Sequence, residues 1–251
     1  MIRRILIVGG ANGIGLSMAH ELAGRESCER VYVVDKAAFN VQYAHPKIRH
    51  FQFDLREADY SLFDRFTDID ALMITAGYGR LSLFRDVTEH YIVDSFNVNT
   101  LPVLRLVRRF YGRLEGQDDF YCGVMDSIAG WMSSPFLAVY GATKAALKIF
   151  IESVNVELRK SGTKNVVLNV SPGFFNGSSF YGQETDIAVL RPLACEIIRR
   201  LEAKDDLFIP RYEEVYKEVL QRYHDDFRQE GTHSYDYKAQ QVRTASRRTS
   251  V

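Results

Sequence analysis

The chain has 251 residues, of which 46% are hydrophobic and 25% are charged, a composition typical of a globular protein with a sizeable core. Its 32 basic residues balance its 32 acidic residues, so it lacks the basic excess of a dedicated nucleic-acid binder. Three widely spaced cysteines, Cys28, Cys122 and Cys195, fit neither a disulfide framework nor a zinc site, and they favour a reducing, cytoplasmic location.

Short apolar runs of strand length recur along the chain, and most end in glycines or polar residues. Continuous apolar strands separated by helices indicate a parallel sheet that is covered on both faces. The predicted strands are, in chain order, Ile5–Val8, Val31–Val34, Ile48–Phe53, Ala71–Thr75, Tyr121–Met125, Val166–Val170 and Leu207–Ile209.

Helical spacing of apolar residues fills most of the intervals between these strands. Pro102 lies inside the second helical pattern and predicts a kink there, because proline removes a backbone hydrogen bond. The helical patterns are Gly13 to about Arg25, Thr88 to about Leu114, Tyr140 to about Lys160, Ala194–Ala203 and Tyr212 to about Phe227.

The repeated strand–helix–strand order predicts right-handed crossovers and an α/β fold, a Rossmann-type doubly wound parallel sheet flanked by helices on both faces. We expect residues 1–228 to form a single domain. Residues 229–251 are polar and lose helical periodicity, which predicts a flexible C-terminal tail. Ligands of such sheets bind beyond the carboxyl ends of the strands, so the residues there are the candidates for a functional site.

A glycine-rich turn, Gly9-Gly10-Ala11-Asn12-Gly13-Ile14-Gly15, joins the first strand to the first helix. Glycines let backbone amides approach a pyrophosphate, and the helix N-terminus adds partial positive charge. Asp35 ends the second strand, where a carboxylate accepts hydrogen bonds from ribose hydroxyls and repels a 2′-phosphate. The pattern therefore predicts a dinucleotide site that prefers NAD, with NADP possible because Lys36 follows.

Tyr140 and Lys144 open the longest helical pattern that follows the fifth strand. Residues four apart share one helix face, and an ammonium beside a phenol lowers the pKa of that phenol. Tyr140 is thereby suited to give a proton to a carbonyl oxygen, or to take one from an alcohol.

The glycine spacing Gly9-x-x-x-Gly13-x-Gly15, together with Tyr140-x-x-x-Lys144, resembles the short-chain dehydrogenase/reductase family, ordinary single-domain branch. The resemblance extends from Ile5 to about Pro210 and implies hydride transfer with a nicotinamide cofactor. It also implies that Ser127 orients the reacting oxygen and that Asn99 supports a proton relay to the lysine. Asn97 fits that asparagine position less well.

Further cofactor contacts follow from the resemblance, each after a predicted strand. Asp54 and Leu55 resemble the pair beside the adenine, Ala76 and Gly77 end the family's Asn-Asn-Ala-Gly segment, and Pro172-Gly173 resembles its turn along the nicotinamide.

The chain departs from the family's pattern at several positions. Val8 replaces a threonine, Ile74 and Thr75 replace both asparagines, and Gly177 takes the place of a threonine that lies near the carboxamide. Pro102 replaces a glycine. None of these changes removes a catalytic group, so they indicate a divergent member.

Aromatic and other large apolar side chains follow the strand ends on the substrate side. They predict an apolar or ring-containing substrate. The pocket candidates are Trp131, Met132, Phe136, Phe174, Phe175, Phe180 and Tyr181.

These observations predict an NAD(P)-dependent oxidoreductase acting on a small carbonyl or secondary alcohol. Alternatives are a catalytically silent NAD(H) sensor, which would not need Tyr140, and a nucleotide-sugar epimerase or dehydratase, which usually carries a larger C-terminal domain. We expect no metal and no nucleic-acid partner. We also expect no membrane partner, because the N-terminal apolar run is too short for a signal peptide and no apolar run reaches the roughly 18 residues of a membrane span. A homodimer through the two long helices is expected, and the altered C-terminus argues against the family's usual tetramer.

Overall fold

The fold is built on a parallel sheet of seven strands, counted over residues 1–177 and 184–248, which the computed structural model describes. The strand order is β3-β2-β1-β4-β5-β6-β7, and every neighbouring pair is parallel. The predicted Rossmann-type doubly wound fold is therefore confirmed. The strands are β1 Arg4–Val8, β2 Arg30–Asp35, β3 Ile48–Gln52, β4 Ala71–Ile74, β5 Tyr121–Met125, β6 Val167–Val170 and β7 Leu207–Phe208.

Helices cover both faces of this sheet. The structure begins the sixth helix at Ile187, seven residues before the predicted start, because Asp186 caps it by accepting hydrogen bonds from the amides of Ala188 and Val189. The helices are α1 Gly13–Ala23, α2 Glu89–Asn99, α3 Leu101–Arg109, α4 Tyr111–Glu115, α5 Ala138–Ser161, α6 Ile187–Ala203, α7 Lys217–Asp225 and α8 Phe227–Arg248.

Alternating strand residues contribute to two hydrophobic cores, one on each face of the sheet. This burial on both faces explains why the strands read as continuous apolar runs. The first core joins the strands to α3 and α5 through residues that include Leu6, Leu72, Val124, Leu106, Leu147 and Ile151. The second joins them to α1 and α6 through residues that include Ile7, Met73, Leu168, Met18, Leu22 and Ile197.

The second helical pattern is interrupted near Pro102, as predicted. Helix α2 ends at Asn99 and α3 begins at Leu101, with Thr100 at φ −115° and ψ −63° between them. Proline has no amide to continue the ladder of α2, so it sits in the first turn of a new helix. The interruption leaves Asn99 at a helix end facing the sheet, where its side chain is fully buried.

The C-terminal segment differs from the predicted polar tail. Residues 227–248 form helix α8, so the boundary expected after residue 228 falls inside a helix. Contacts with a distant loop hold this helix: the rings of Tyr235 and Phe136 lie 5.0 Å apart, and Lys238 Nζ donates to Ser134 Oγ at 2.7 Å. Because so few contacts hold α8, its sequence has no regular apolar face, and no helical periodicity could be detected there.

A buried polar network joins the ends of β5 and β6. Asp126 Oδ2 accepts hydrogen bonds from Asn169 Nδ2 at 3.1 Å and from Ser171 Oγ at 3.4 Å. Ser171 Oγ in turn accepts from Trp131 Nε1 at 2.8 Å. Asp126 Oδ1 has no hydrogen-bond partner within the described ranges. Burial raises the pKa of Asp126 to about 6, although the positive charge of Lys144 acts in the opposite direction.

We predict that Asp126→Asn removes a pH-dependent part of the stability. The folded chain keeps the Asp126 proton between about pH 4 and pH 6, where the unfolded chain has released it. The stabilisation from neutral Asp126 is thus present at pH 4 and is lost as the pH rises through 6. In thermal unfolding, the melting temperature of the wild type should fall relative to that of Asp126→Asn over this range. Asp118→Asn, at an exposed position, is the control, and a constant difference between wild type and Asp126→Asn from pH 4 to 7 would contradict the prediction.

Candidate active site

The glycine-rich turn after β1 lies tightly against the end of β4. Gly9 has φ +89°, and a Cβ there would lie 2.5 Å from the Cα of Ala76, so only glycine fits. A Cβ on Gly15 would lie 2.5 Å from the carbonyl oxygen of Gly9 and would also overlap the hydroxyl of Thr75. The turn therefore presents bare backbone, which is the surface that a pyrophosphate needs to approach amide groups closely.

Thr75 fixes this turn by its side chain. Its Oγ1 donates toward the carbonyl oxygens of Gly9 at 2.9 Å and of Val8 at 3.2 Å. Two of the positions where the chain departs from the family's pattern, Val8 and Thr75, are thus direct neighbours. A hydroxyl from β4 contacts the backbone of β1 and of the turn that follows.

The amide of Gly13, at the start of α1, donates to Thr185 Oγ1 at 2.9 Å. Asn12 immediately precedes the helix and gives no side-chain cap, and Ile14 packs against the second core. Sequence reasoning missed Thr185, because it lies 172 residues from Gly13 and outside the family's threonine position. Its contact places a hydroxyl at the helix N-terminus where an anion would bind.

Asp35 reaches the same turn from the end of β2. Its Oδ2 accepts from the amide of Ala11 at 3.0 Å, and its Oδ1 accepts from the amide of Ala37 at 2.9 Å. The carboxylate is therefore held beside the glycine-rich turn, where the sequence predicts the ribose contact.

Asp54 and Leu55 follow β3 at the same edge of the sheet. Asp54 accepts from Arg56 Nε at 3.0 Å, and this guanidinium lowers the pKa of Asp54 to about 2. The Leu55 side chain packs into the first core, and its carbonyl oxygen accepts from Tyr60 Oη at 2.7 Å. Asp54 therefore offers a charged carboxylate at this edge, whereas Leu55 contributes mainly to packing.

The four predicted catalytic residues are all buried and come from three elements. Tyr140 and Lys144 lie one turn apart on α5, and Lys144 Nζ is 5.7 Å from the centre of the Tyr140 ring. Gly77 lies between Lys144 and Asn99. A Cβ added to Gly77 would lie 3.5 Å from Lys144 Nζ and 3.4 Å from Asn99 Oδ1. Asn99 and Lys144 therefore meet at the end of β4.

The side chain of Asn99 is committed to local hydrogen bonds. Its Oδ1 accepts from the amide of Tyr78 at 2.9 Å, and its Nδ2 donates to the carbonyl oxygen of Tyr78 at 2.9 Å and to Thr143 Oγ1 at 3.1 Å. These bonds tie the end of α2 to the loop after β4 and to α5. The amide group of Asn99 thus fixes the geometry around Lys144.

Lys144 Nζ donates to the carbonyl oxygen of Met125 at 2.7 Å. Burial lowers the pKa of Lys144 to about 8, and the carboxylate of Asp126 offsets part of that effect. With a pKa of about 8 the lysine is mostly protonated at pH 7, and its ammonium lies 5.7 Å from the centre of the Tyr140 ring.

Ser127 begins the loop after β5 and contacts the turn after β6. Its Oγ accepts from the amide of Ala129 at 3.2 Å and donates to the carbonyl oxygen of Pro172 at 3.4 Å. The same carbonyl oxygen accepts from the amide of Ile128 at 3.0 Å. The structure thus brings Ser127 and Pro172-Gly173 together, although they are far apart in sequence.

The predicted pocket residues do not share one environment. Trp131 and Met132 join a small apolar cluster with Ile128, Ile209, Tyr216 and Leu220, at the edge of a cavity of about 450 Å³ that Tyr223 of α7 also lines. Phe136 has φ +65° and packs on Tyr235, so it faces α8. Phe174 is more than half exposed, and Phe175 packs against the second core. Phe180 and Tyr181 lie outside the described residues.

Two features are absent from the described part of the chain. No helix there is long and apolar enough to cross a membrane. No group of three or more His, Cys, Asp or Glu side chains there is arranged to hold a metal ion.

Solved structures share this architecture at low sequence identity. A short-chain dehydrogenase from Streptomyces avermitilis superposes with a TM-score of 0.73 at 20% identity, over 96% of this chain and 99% of that one. An alcohol dehydrogenase from Thermococcus sibiricus, complexed with 5-hydroxy-NADP, gives a TM-score of 0.69 at 18% identity, over 82% of this chain and 94% of that one. These similarities concern the fold.

Curated relatives are similarly distant. The 11-beta-hydroxysteroid dehydrogenase 1A of Arabidopsis thaliana is 25% identical over 199 residues, which cover 71% of this chain and 54% of the relative. The human 17-beta-hydroxysteroid dehydrogenase type 1 is 27% identical over 183 residues, covering 67% and 56%. The chain thus spans little more than half the length of these relatives.

The family model described as short chain dehydrogenase matches residues 3–186. The chain therefore belongs to the short-chain dehydrogenase/reductase family.

Proposed function

We propose that this protein is an NAD(P)-dependent oxidoreductase that transfers hydride between a nicotinamide cofactor and a carbonyl or secondary alcohol, with Tyr140 as the acid–base catalyst. The observation that carries this proposal is the buried pair of Tyr140 and charged Lys144, 5.7 Å apart from ring centre to Nζ, at the carboxyl edge of the sheet. The family match over residues 3–186 supports the same chemistry.

The residues at this edge fit a dinucleotide. The turn at Gly9 and Gly15 leaves no room for a Cβ, and the Gly13 amide opens a helix whose N-terminus favours an anion. Asp54, Leu55, Ala76, Pro172 and Gly173 follow the strands along which the rest of the cofactor would extend. When bound, the cofactor supplies or accepts the hydride.

The protein's own residues handle the proton. During reduction, the Tyr140 hydroxyl gives its proton to the carbonyl oxygen as hydride reaches the carbon, so that an alcohol forms and a phenolate remains. Lys144 stabilises that phenolate by its charge. With substrate bound, Ser127 donates its hydroxyl proton to the reacting oxygen instead of to the Pro172 carbonyl oxygen, and so orients the reacting oxygen. Asn99 holds the local structure around Lys144 and supports the relay that returns a proton to Tyr140. Oxidation follows the reverse path.

We propose an apolar, ring-containing substrate. Trp131 and Met132 lie in an apolar cluster beside Ser127, together with Ile128. Two relatives that are 25% and 27% identical to this chain are hydroxysteroid dehydrogenases by name, which supports a substrate of this class. Cys28, Cys122 and Cys195 are all free thiols, which supports a cytoplasmic location.

We predict that Tyr140→Phe lowers kcat/KM by about 100-fold or more, because it removes the group that transfers the proton. Initial rates are measured by nicotinamide absorbance with ketones, aldehydes, sugars, steroids and secondary alcohols, using each cofactor. Tyr111→Phe is the control, since it makes the same change on α4. Turnover that survives in Tyr140→Phe would contradict the role of the tyrosine. Tight cofactor binding without turnover of any compound by the wild type would favour an NAD(H) sensor.

We propose that the protein prefers NAD to NADP. The Asp35 carboxylate, fixed by the amides of Ala11 and Ala37, repels a 2′-phosphate. The wild type should use NADH with at least about tenfold higher kcat/KM than NADPH, and Asp35→Asn should reduce this ratio. Asp86→Asn is the control, because it makes the same change at an exposed carboxylate that follows β4 in the sequence. Comparable affinity of the wild type for NADH and NADPH would refute the preference.

We predict a homodimer through the outer faces of α2, α3 and α5, where Val93, Leu101, Ile149 and Val156 are about half exposed. Exposed apolar side chains on neighbouring helices indicate an interface. Sedimentation of the wild type should give twice the mass of one chain, and Ile149→Glu should give the monomer. Val189→Glu is the control, because Val189 is equally exposed on α6. A monomeric wild type would contradict this prediction.

A further inference from the structure

We infer that Tyr216 is a specificity-determining residue of the active site, closing the substrate pocket at Gly173 and restricting it to carbonyl compounds that are slim on that side. This inference rests on the proposed function, because it concerns the substrate of the same site. Nothing in the glycine-rich, Tyr-x-x-x-Lys or Pro-Gly patterns points to Tyr216.

The phenol of Tyr216 lies directly on the face of Gly173. A Cβ added to Gly173 would overlap the Tyr216 hydroxyl and lie 2.7 Å from its Cζ. The contact is between the tip of the side chain and bare backbone, so any larger residue at position 173 would displace the phenol. Tyr216 therefore occupies the space that a side chain of this turn would otherwise fill.

This space borders the reacting groups. Gly173 follows Pro172, whose carbonyl oxygen accepts from Ser127 Oγ at 3.4 Å and from the Ile128 amide at 3.0 Å. The Tyr216 hydroxyl is thus one residue away from the partner of Ser127, the side chain proposed to orient the substrate oxygen. A substituent on the substrate that extends toward Gly173 meets the phenol first.

The surroundings of Tyr216 are apolar. Its ring belongs to the cluster of Ile128, Ile209 and Leu220, which also includes Trp131 and Met132. Ile128 and Trp131 follow Ser127, whereas Ile209 and Leu220 come from the C-terminal region. The wall opposite Gly173 is therefore hydrophobic and selects apolar substituents of limited width.

The backbone holds Tyr216 in place. The segment Tyr212–Tyr216 is a single π-helical turn, a rare conformation that often occurs at functional sites. Arg211, which precedes it, has φ +60°, a conformation that non-glycine residues adopt at a cost in free energy. Leu220 follows Tyr216 by four residues on the same helical face and is buried in the same cluster. These features determine which way the phenol points.

The test compares kcat/KM for two ketones that differ only in the bulk of one substituent, using the full chain with its preferred cofactor. Tyr216→Ala should raise the ratio of bulky to slim substrate by at least about tenfold, because one or two methylene groups of pocket space discriminate by that factor or more. Tyr216→Phe, which removes only the hydroxyl that overlies Gly173, should raise the ratio less than Tyr216→Ala does. Tyr212→Ala is the matched control, because Tyr212 lies on the same turn but is exposed. An unchanged ratio in Tyr216→Ala would overturn the inference.

A second measurement checks the contact without activity. Gly173→Ala should lower the melting temperature in the wild type and lower it less in a Tyr216→Ala background, because the clash is then relieved. Equal losses in both backgrounds would overturn the contact itself. Wild-type inactivity toward every compound would overturn the proposed function and with it this inference, whereas normal turnover with unchanged selectivity in Tyr216→Ala would overturn only the inference.

Discussion

The candidate site is organised around one buried ammonium, that of Lys144. Its hydrogen bond to the Met125 carbonyl oxygen, at 2.7 Å, joins α5 to the end of β5. A lysine is costly to bury, and here burial lowers its pKa to about 8 while the Asp126 carboxylate partly restores it. The site keeps a charged lysine at neutral pH because these two opposing effects leave its pKa above 7. Since Tyr140 lies one turn away on the same helix, the position of Lys144 also determines the electrostatic environment of the phenol.

This arrangement makes Asp126 part of the electrostatics of the site, although its side chain points into the network with Asn169 and Ser171. The carboxylate is one residue before Ser127 and is almost fully buried. Burial raises the pKa of Asp126 to about 6, and the Lys144 ammonium and the hydrogen bonds from Asn169 and Ser171 offset only part of that effect. The same network holds the indole of Trp131 through Ser171, so the charge balance near Lys144 and the orientation of a pocket residue depend on common groups.

The candidate site residues that could be predicted from the sequence either follow a strand closely or match a motif in a helix, as Asn99, Tyr140 and Lys144 do. Asp35, Ser127 and Pro172 lie at strand ends, and the parallel sheet brings these ends to one edge whatever the intervening sequence. Thr185 and Tyr216 could not be predicted in this way, because each contacts the site through a partner far away in sequence, Gly13 or Gly173. Helix α8 was not predicted for a related reason. Individual contacts of Tyr235 and Lys238 hold it, and its polar sequence shows no apolar periodicity.

Departures from a family pattern acquire a meaning only when their spatial neighbours are known. Val8 lacks a hydroxyl, but Thr75 provides one from the adjacent strand and directs it to the carbonyl oxygens of Val8 and Gly9. The junction of β1 and β4 therefore carries a hydroxyl, which Thr75 supplies at the end of β4. The C-terminal region shows the complementary case. There, residues without any recognisable motif, namely Tyr216, Tyr235 and Lys238, contact Gly173, Phe136 and Ser134 and so enclose the loop after Ser127 from outside. The chemistry at the strand ends and the shape of the pocket thus come from different parts of the chain.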